Sequence, residues 1–98
     1  MVDKIKVKNT EAFEQLIKEK DLGISKGIVK GILENLVGKR KHIPVLEVYL
    51  EDEGTIVDIT CDRKDFISTL EENLKIHEYH EKYEACAGIG KAINFLKN

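Results

Sequence analysis

The sequence predicts an α+β fold: a small antiparallel three-stranded sheet with helices on one face, in the order β-α-α-β-β-α-α. Residues 2–8 alternate between apolar and lysine side chains, which is typical of a half-buried strand. Residues 45–51 and 55–61 also alternate and flank the turn 51–54, which predicts a β-hairpin. Three other segments repeat apolar residues at the spacing of one helical face: 11–20, 25–37 and 64–97.

Capping residues bound the two helices that follow the first strand. Asn9 can accept a hydrogen bond from the first turn of the helix over 11–20, and Gly23 is a natural C-cap. Ser25 can cap the second helix, which Gly38 ends after about residue 37. Glycines at 23, 27 and 31 repeat every four residues, a spacing that lets two helix backbones approach closely, and we interpret it as tight internal packing.

The hairpin register follows from its apolar residues. They all share one face when the pairs are Leu50–Thr55, Val48–Val57 and Leu46–Ile59. Glu47 then lies opposite Asp58 on the outer face, where the two carboxylates repel each other. If the first strand joins the hairpin, Lys4, Lys6 and Lys8 lie on that face and neutralise the acids. The predicted sheet therefore contains all three strands.

The last third of the chain, residues 63–98, predicts two short helices folded into a hairpin. The polar run 77–82 interrupts the apolar stripe where a turn would lie. A hairpin cannot bury its apolar stripe alone, so it must dock on residues 1–62 or on another chain. With 98 residues, the chain is predicted to be a single domain, 1–98.

Residues 83–96, YEACAGIGKAINFL, resemble the second half of the UVR-type helical hairpin. The matching positions are an aromatic–acidic pair, two small residues and three aliphatic residues: Tyr83, Glu84, Cys86, Ala87, Ile89, Ile93 and Leu96. The family's Arg-Asp pair is replaced by Gly90-Lys91, and His77 stands where a small apolar residue is usual. The resemblance implies a hairpin that binds a partner protein, in some members a second hairpin that completes a four-helix bundle.

The function that we expect is therefore non-enzymatic protein binding, as an adaptor, inhibitor or assembly factor. The predicted contact residues are Tyr83, Ala87, Ile89 and Ile93. Leftover apolar surface on so small a domain also predicts a homodimer. No serine or cysteine stands with a histidine and an acid in a recognisable motif, so no catalytic residue and no cofactor is predicted.

Two alternative functions come from other residue clusters. Lys39, Arg40 and Lys41 form a basic loop that could bind the phosphates of a nucleic acid, although the net charge of −2 gives no general attraction. His77, His80 and Glu84 would share one face of a continuous helix and could bind a transition metal. In a hairpin they lie at an exposed turn, so solvated residues are favoured there and no metal site is predicted.

Cysteine content and hydropathy predict a cytoplasmic protein. Two cysteines, Cys61 and Cys86, do not form a disulfide framework, and we interpret them as buried free thiols in a reducing compartment. The N-terminal residues lack the apolar segment of a signal peptide. No apolar run reaches the length of a membrane span, so no association with a membrane is expected.

Overall fold

The computed structural model describes residues 2–98, which form three strands and four helices. In chain order these are β1 (Asp3–Val7), α1 (Thr10–Lys18), α2 (Leu22–Leu33), β2 (His42–Leu50), β3 (Thr55–Asp62), α3 (Phe66–Tyr79) and α4 (Tyr83–Lys97). A 3-10 turn (Arg63–Asp65) joins β3 to α3. The predicted α+β class and the order β-α-α-β-β-α-α are confirmed.

The three strands form a mixed sheet in the order β1-β2-β3. β2 and β3 are antiparallel in the predicted register, with Leu50 opposite Thr55 and Val48 opposite Val57. The prediction of a wholly antiparallel sheet is wrong, because β1 runs parallel to β2. The physical reason is the connection: α1 and α2 carry the chain back to the starting end of the sheet, as a parallel pair requires.

The outer face of the sheet carries the predicted pairing of lysines with acids. Lys4 lies opposite Glu47 across the β1–β2 pair, and its Nζ is 3.6 Å from Oε2 of Glu47. Lys6 lies opposite Tyr49, with its Nζ 5.9 Å from the centre of the ring. Glu47 also lies opposite Asp58 on β3, as predicted. Parallel pairing of β1 therefore still places these lysines on the acidic face.

The inner face of the sheet packs against α2. Gly27 approaches β2 so closely that a β-carbon there would lie 3.0 Å from Cδ1 of Leu46. A bulge between Pro44 and Leu46 directs both Val45 and Leu46 into the core, where they are buried. The tight packing predicted from the glycine spacing is confirmed, but the neighbour of the glycines is a strand rather than a helix.

Two helix boundaries differ from their predictions. The Asn9 side chain caps α1 as predicted, accepting a 2.9 Å hydrogen bond from the backbone of the first turn. Asp21 caps α2 in the same way at 3.0 Å, so Gly23 and Ser25 lie inside α2 and neither is a cap. α2 ends at residue 33 rather than at about residue 37. The side chain of Asp21 accepts the capping hydrogen bond, so α2 begins about one turn earlier than predicted.

The C-terminal hairpin docks on its own domain. α3 packs against α4 and against α2. The core joins all three of these helices to the sheet through large buried side chains: Ile32, Ile43, Leu46, Phe66, Leu70 and Ile89. The helical pair predicted for residues 63–98 is confirmed. Within residues 2–98, no helix combines the length and the apolar character needed to cross a bilayer.

Candidate protein-binding surface

The four predicted contact residues divide between the two sides of α4. Ile89 and Ile93 are only 1% and 7% exposed, because they pack into the protein's own core. Tyr83 is 67% exposed, and Ala87 is also exposed. The helical period explains this division, since residues four apart share a face whereas residues two apart lie on nearly opposite sides. The accessible surface therefore includes Tyr83 and Ala87 but not the two isoleucines.

The side of α4 that faces away from the core combines small, charged and aromatic residues. We call it the α4 outward face and define it as Glu84, Ala87, Gly88, Lys91 and Phe95, all of which are exposed. A β-carbon placed on Gly88 would meet no atom within 4 Å. Phe95, which sequence analysis missed, is 53% exposed. Its spacing of four residues from Lys91 is the signal that could have identified it.

Four residues of this face, all except Phe95, are arranged symmetrically along the helix. Glu84 precedes Ala87 by the same number of positions as Lys91 follows Gly88. In the described chain neither Glu84 nor Lys91 forms an ion pair; the pairs present are Lys4–Glu47, Lys30–Asp3, His42–Asp62 and Lys97–Glu71. Two α4 helices packed antiparallel about the 87–88 midpoint would therefore place Glu84 of each opposite Lys91 of the other.

The turn between α3 and α4 fastens the hairpin to the rest of the domain. Glu81 adopts the left-handed conformation, with φ of 58°, which reverses the chain between the helices. His80 contacts the loop between α1 and α2, where its Nε2 lies 2.8 Å from the backbone oxygen of Lys20. Lys20 in turn places its Nζ 5.3 Å from the centre of the Tyr79 ring. These contacts fix where α4 begins.

The basic loop predicted to bind nucleic acid is exposed at all three of its residues, Lys39, Arg40 and Lys41. Arg63 anchors it: the Nε of Arg63 donates a 2.7 Å hydrogen bond to the Arg40 carbonyl. Its guanidinium carbon lies 4.8 Å from the centre of the Phe66 ring, where a cation is attracted to the aromatic face. Sequence analysis missed Arg63 because it lies far from the loop along the chain.

The structure separates the residues considered for a metal site. His77 is not at an exposed turn, as the sequence predicted, but is 2% exposed, and its Nδ1 lies 2.8 Å from the Asn73 carbonyl oxygen. His80 instead bonds to the α1–α2 loop, and Glu84 is exposed on α4. Among residues 2–98, the structure contains no cluster of three or more histidine, cysteine or acidic side chains placed to hold a metal ion.

His77 belongs instead to a buried polar cluster that links α2 to α3. The Ser25 hydroxyl donates a 2.6 Å hydrogen bond to Oδ1 of Asn73, and it lies 3.3 Å from Nδ1 of His77. The Asn73 amide donates to the Thr69 carbonyl at 2.8 Å. Sequence analysis missed this cluster because it assigned Ser25 to a helix cap and His77 to solvent. Its hydrogen bonds fix one arrangement of the two helices.

The α4 outward face and the basic loop are thus two exposed surfaces that include residues predicted from the sequence to bind a partner. The first contains Ala87 and Phe95, and the second contains Lys39–Lys41, which Arg63 contacts. No protein-family model, no curated protein and no solved structure matches this chain.

Proposed function

We propose that the protein is a non-enzymatic protein-binding module that self-associates through the α4 outward face. The exposure of Phe95 on the same face as the uncovered Gly88 is the observation that carries this proposal. Small residues let the backbone of a second helix approach closely, and exposed aromatic rings supply apolar area at its edge. The resemblance of residues 83–96 to a partner-binding hairpin supports the same function.

The partner that best fits this face is a second copy of the chain. In an antiparallel pair of α4 helices, Ala87 of one copy lies at the crossing with Gly88 of the other. Glu84 and Lys91, which are unpaired within residues 2–98, then form two symmetric ion pairs. Such a contact is isologous, because the same residues are used on both copies. α4 has 15 residues and is about 22 Å long, so we expect a weak dimer that depends on concentration.

Sedimentation equilibrium over a range of protein concentrations tests this proposal. Ala87→Glu places two carboxylates at the helix crossing and should leave the protein monomeric. Ala85→Glu is the matched control, because Ala85 is equally an exposed alanine of α4 but lies on the side next to α2. We expect the control to dimerise as the wild type does. If both variants and the wild type have the same dissociation constant, the α4 outward face is not the contact.

Exchanging the two charges tests the orientation of the helices. Glu84→Lys alone and Lys91→Glu alone each place like charges opposite each other, so both should weaken the dimer. The double variant restores opposite charges and should therefore recover the wild-type dissociation constant. Each such surface ion pair contributes about 0.2–1 kcal/mol. A wild type that stays monomeric throughout the range, or a double variant weaker than both single variants, would contradict the symmetric antiparallel contact.

Nucleic-acid binding is the second candidate function, and Lys64 favours it. Lys64 lies in one shallow pocket with Lys41 and Asp62, so the basic loop, which Arg63 holds in place, gains one further exposed cation. A phosphate-binding surface predicts affinity for short oligonucleotides that falls steeply between low and moderate salt, whereas an apolar dimer interface responds little. Replacing residues 39–41 by serine should abolish such binding and leave dimerisation unchanged. Absence of any oligonucleotide binding at low salt removes this candidate.

We further propose that the protein acts in the cytoplasm. Both of its cysteines are free thiols, Cys61 buried and Cys86 partly buried. Free thiols persist in a reducing compartment. A self-associating module there could serve as an adaptor, an assembly factor or an inhibitor.

A further inference from the structure

A second feature, independent of α4, is a cavity between the helices and the inner face of the sheet. It has a volume of about 250 Å³. Phe13 and Ile17 of α1, Ile28 of α2, Ile76 of α3 and Ile59 of β3 contribute to its mostly apolar lining. It opens to solvent beside the loop between α1 and α2.

The volume of this cavity suits a small ligand, and the cavity is partly open to solvent. An apolar cavity of about 150 Å³ already holds benzene, and drug-sized ligands occupy about 300–1,000 Å³. The cavity here therefore has room for a small molecule of one ring or a short alkyl chain. Because empty apolar volume destabilises a fold, an occupant of this kind would stabilise the protein.

Asn73 provides the cavity with a polar group. It is buried and lines the cavity. Its side-chain oxygen accepts from Ser25, and one of its two amide N–H groups donates to the Thr69 carbonyl. Its second N–H takes part in neither of these bonds. A ligand that carries an acceptor could bond to this N–H, which would favour binding at this position.

The mouth of the cavity disfavours an anionic ligand. Three charged residues line it: Lys20, Asp21 and Glu72. The Lys20 ammonium lies over the Tyr79 ring, while Asp21 and Glu72 both bring negative charge. A carboxylate entering here would meet two like charges against one opposite charge, whereas an uncharged molecule would meet no net repulsion.

We propose that this cavity binds a small uncharged molecule with an apolar body and one hydrogen-bond acceptor, such as a ketone. This site is separate from the α4 outward face, so its existence does not depend on the proposed dimer. NMR titration of the 98-residue protein with three probes of similar shape tests it: acetophenone, ethylbenzene and benzoate.

Acetophenone carries a carbonyl acceptor, ethylbenzene lacks one, and benzoate is an anion. We expect saturable binding of acetophenone, with shifts confined to residues that line the cavity. Its affinity should be about five-fold higher than that of ethylbenzene, the effect of one net hydrogen bond. Benzoate should bind more weakly than both. Equal affinities for acetophenone and ethylbenzene would overturn the role of Asn73, and no saturable binding of either would overturn the site.

Filling the cavity provides a second test. Ile76→Phe adds volume to the lining and should abolish acetophenone binding. Ile17→Trp closes the mouth from an exposed position, so it should have the same effect even if Ile76→Phe perturbs the fold. The matched control is Ile56→Phe, because Ile56 is exposed on the outer face of β3, away from the cavity. If the two cavity variants bind acetophenone as tightly as the control does, the site is elsewhere.

Discussion

Gly31 of α2 packs directly on Val45 of β2: a β-carbon on Gly31 would lie 2.9 Å from Cγ1 and 3.0 Å from Cα of Val45. The Cα belongs to the backbone of a central strand, which cannot move without disturbing both neighbouring strands. α2 therefore lies against the sheet at a distance that only glycine allows. By contrast, a β-carbon on Gly90 of α4 would meet no atom within 4 Å.

These two glycines should respond oppositely to the same substitution. Gly31→Ala should lower the free energy of unfolding by about 1–3 kcal/mol, because the added methyl group overpacks the α2–β2 contact. Gly90→Ala should raise it by about 0.5–1 kcal/mol, because glycine within a helix costs conformational entropy. Urea denaturation measures both values. A stabilising Gly31→Ala would show that α2 can move away from the strand without cost.

The facing carboxylates Glu47 and Asp58 differ in their partners. Only Glu47 has Lys4 nearby, at 3.6 Å, whereas Asp58 forms no ion pair within residues 2–98. Asp58→Asn should therefore raise the free energy of unfolding by about 0.2–1 kcal/mol, since it relieves cross-strand repulsion. Glu47→Gln relieves the same repulsion but loses the Lys4 pair, so its net effect should be smaller. Thermal unfolding at low salt compares them, and equal stabilisation by both would mean that Lys4 contributes nothing.

The sequence was sufficient to predict the register of the β2–β3 hairpin because its alternation has a period of two. A slip of one residue would have moved Val48 and Leu50 to the outer face. The same alternation in β1 shows which face Ile5 occupies, but it is identical for parallel and antiparallel pairing. The direction of β1 depends on how α1 and α2 return the chain, which the local pattern does not contain.

Only part of the candidate binding surface could be predicted, because it too depends on contacts that the local pattern does not contain. The period of α4 separates Ala87 from Ile89, but which side docks on the domain depends on α3 and on the core. The buried cluster of Ser25, Asn73 and His77 joins residues about fifty positions apart, so no local motif reports it. Arg63 and the basic loop likewise meet only in the folded chain.

The hydrogen bond from Ser25 to Asn73 should make a measurable contribution to stability. Ser25→Ala leaves Oδ1 of Asn73 without its 2.6 Å donor in a buried site, so the free energy of unfolding should fall by about 1–3 kcal/mol. Asn73→Leu should also destabilise the protein, but adding Ser25→Ala to it should cost less than Ser25→Ala does alone. A double-mutant cycle measured by urea denaturation gives the coupling. Strictly additive effects would mean that the two side chains do not interact.

Cys61 should make the protein less stable at alkaline pH. Burial raises the pKa of its thiol above the ordinary value of 9.0, an effect that the weak hydrogen bond with Thr69 opposes. The folded state therefore holds the thiol proton to higher pH than the unfolded state does. The resulting stability is fully present below the pKa of the unfolded thiol and is lost as the pH rises through the folded value.

Between about pH 8 and about pH 10, the free energy of unfolding of the wild type should fall more steeply than that of Cys61→Ala. Because Cys61→Ala also removes buried volume, the two slopes against pH are compared rather than the absolute stabilities. The pKa of Lys30 is also raised, by its hydrogen bond to Asp3, and this contribution is common to both proteins. Parallel slopes would show that the buried thiol has the same pKa in the folded and unfolded states.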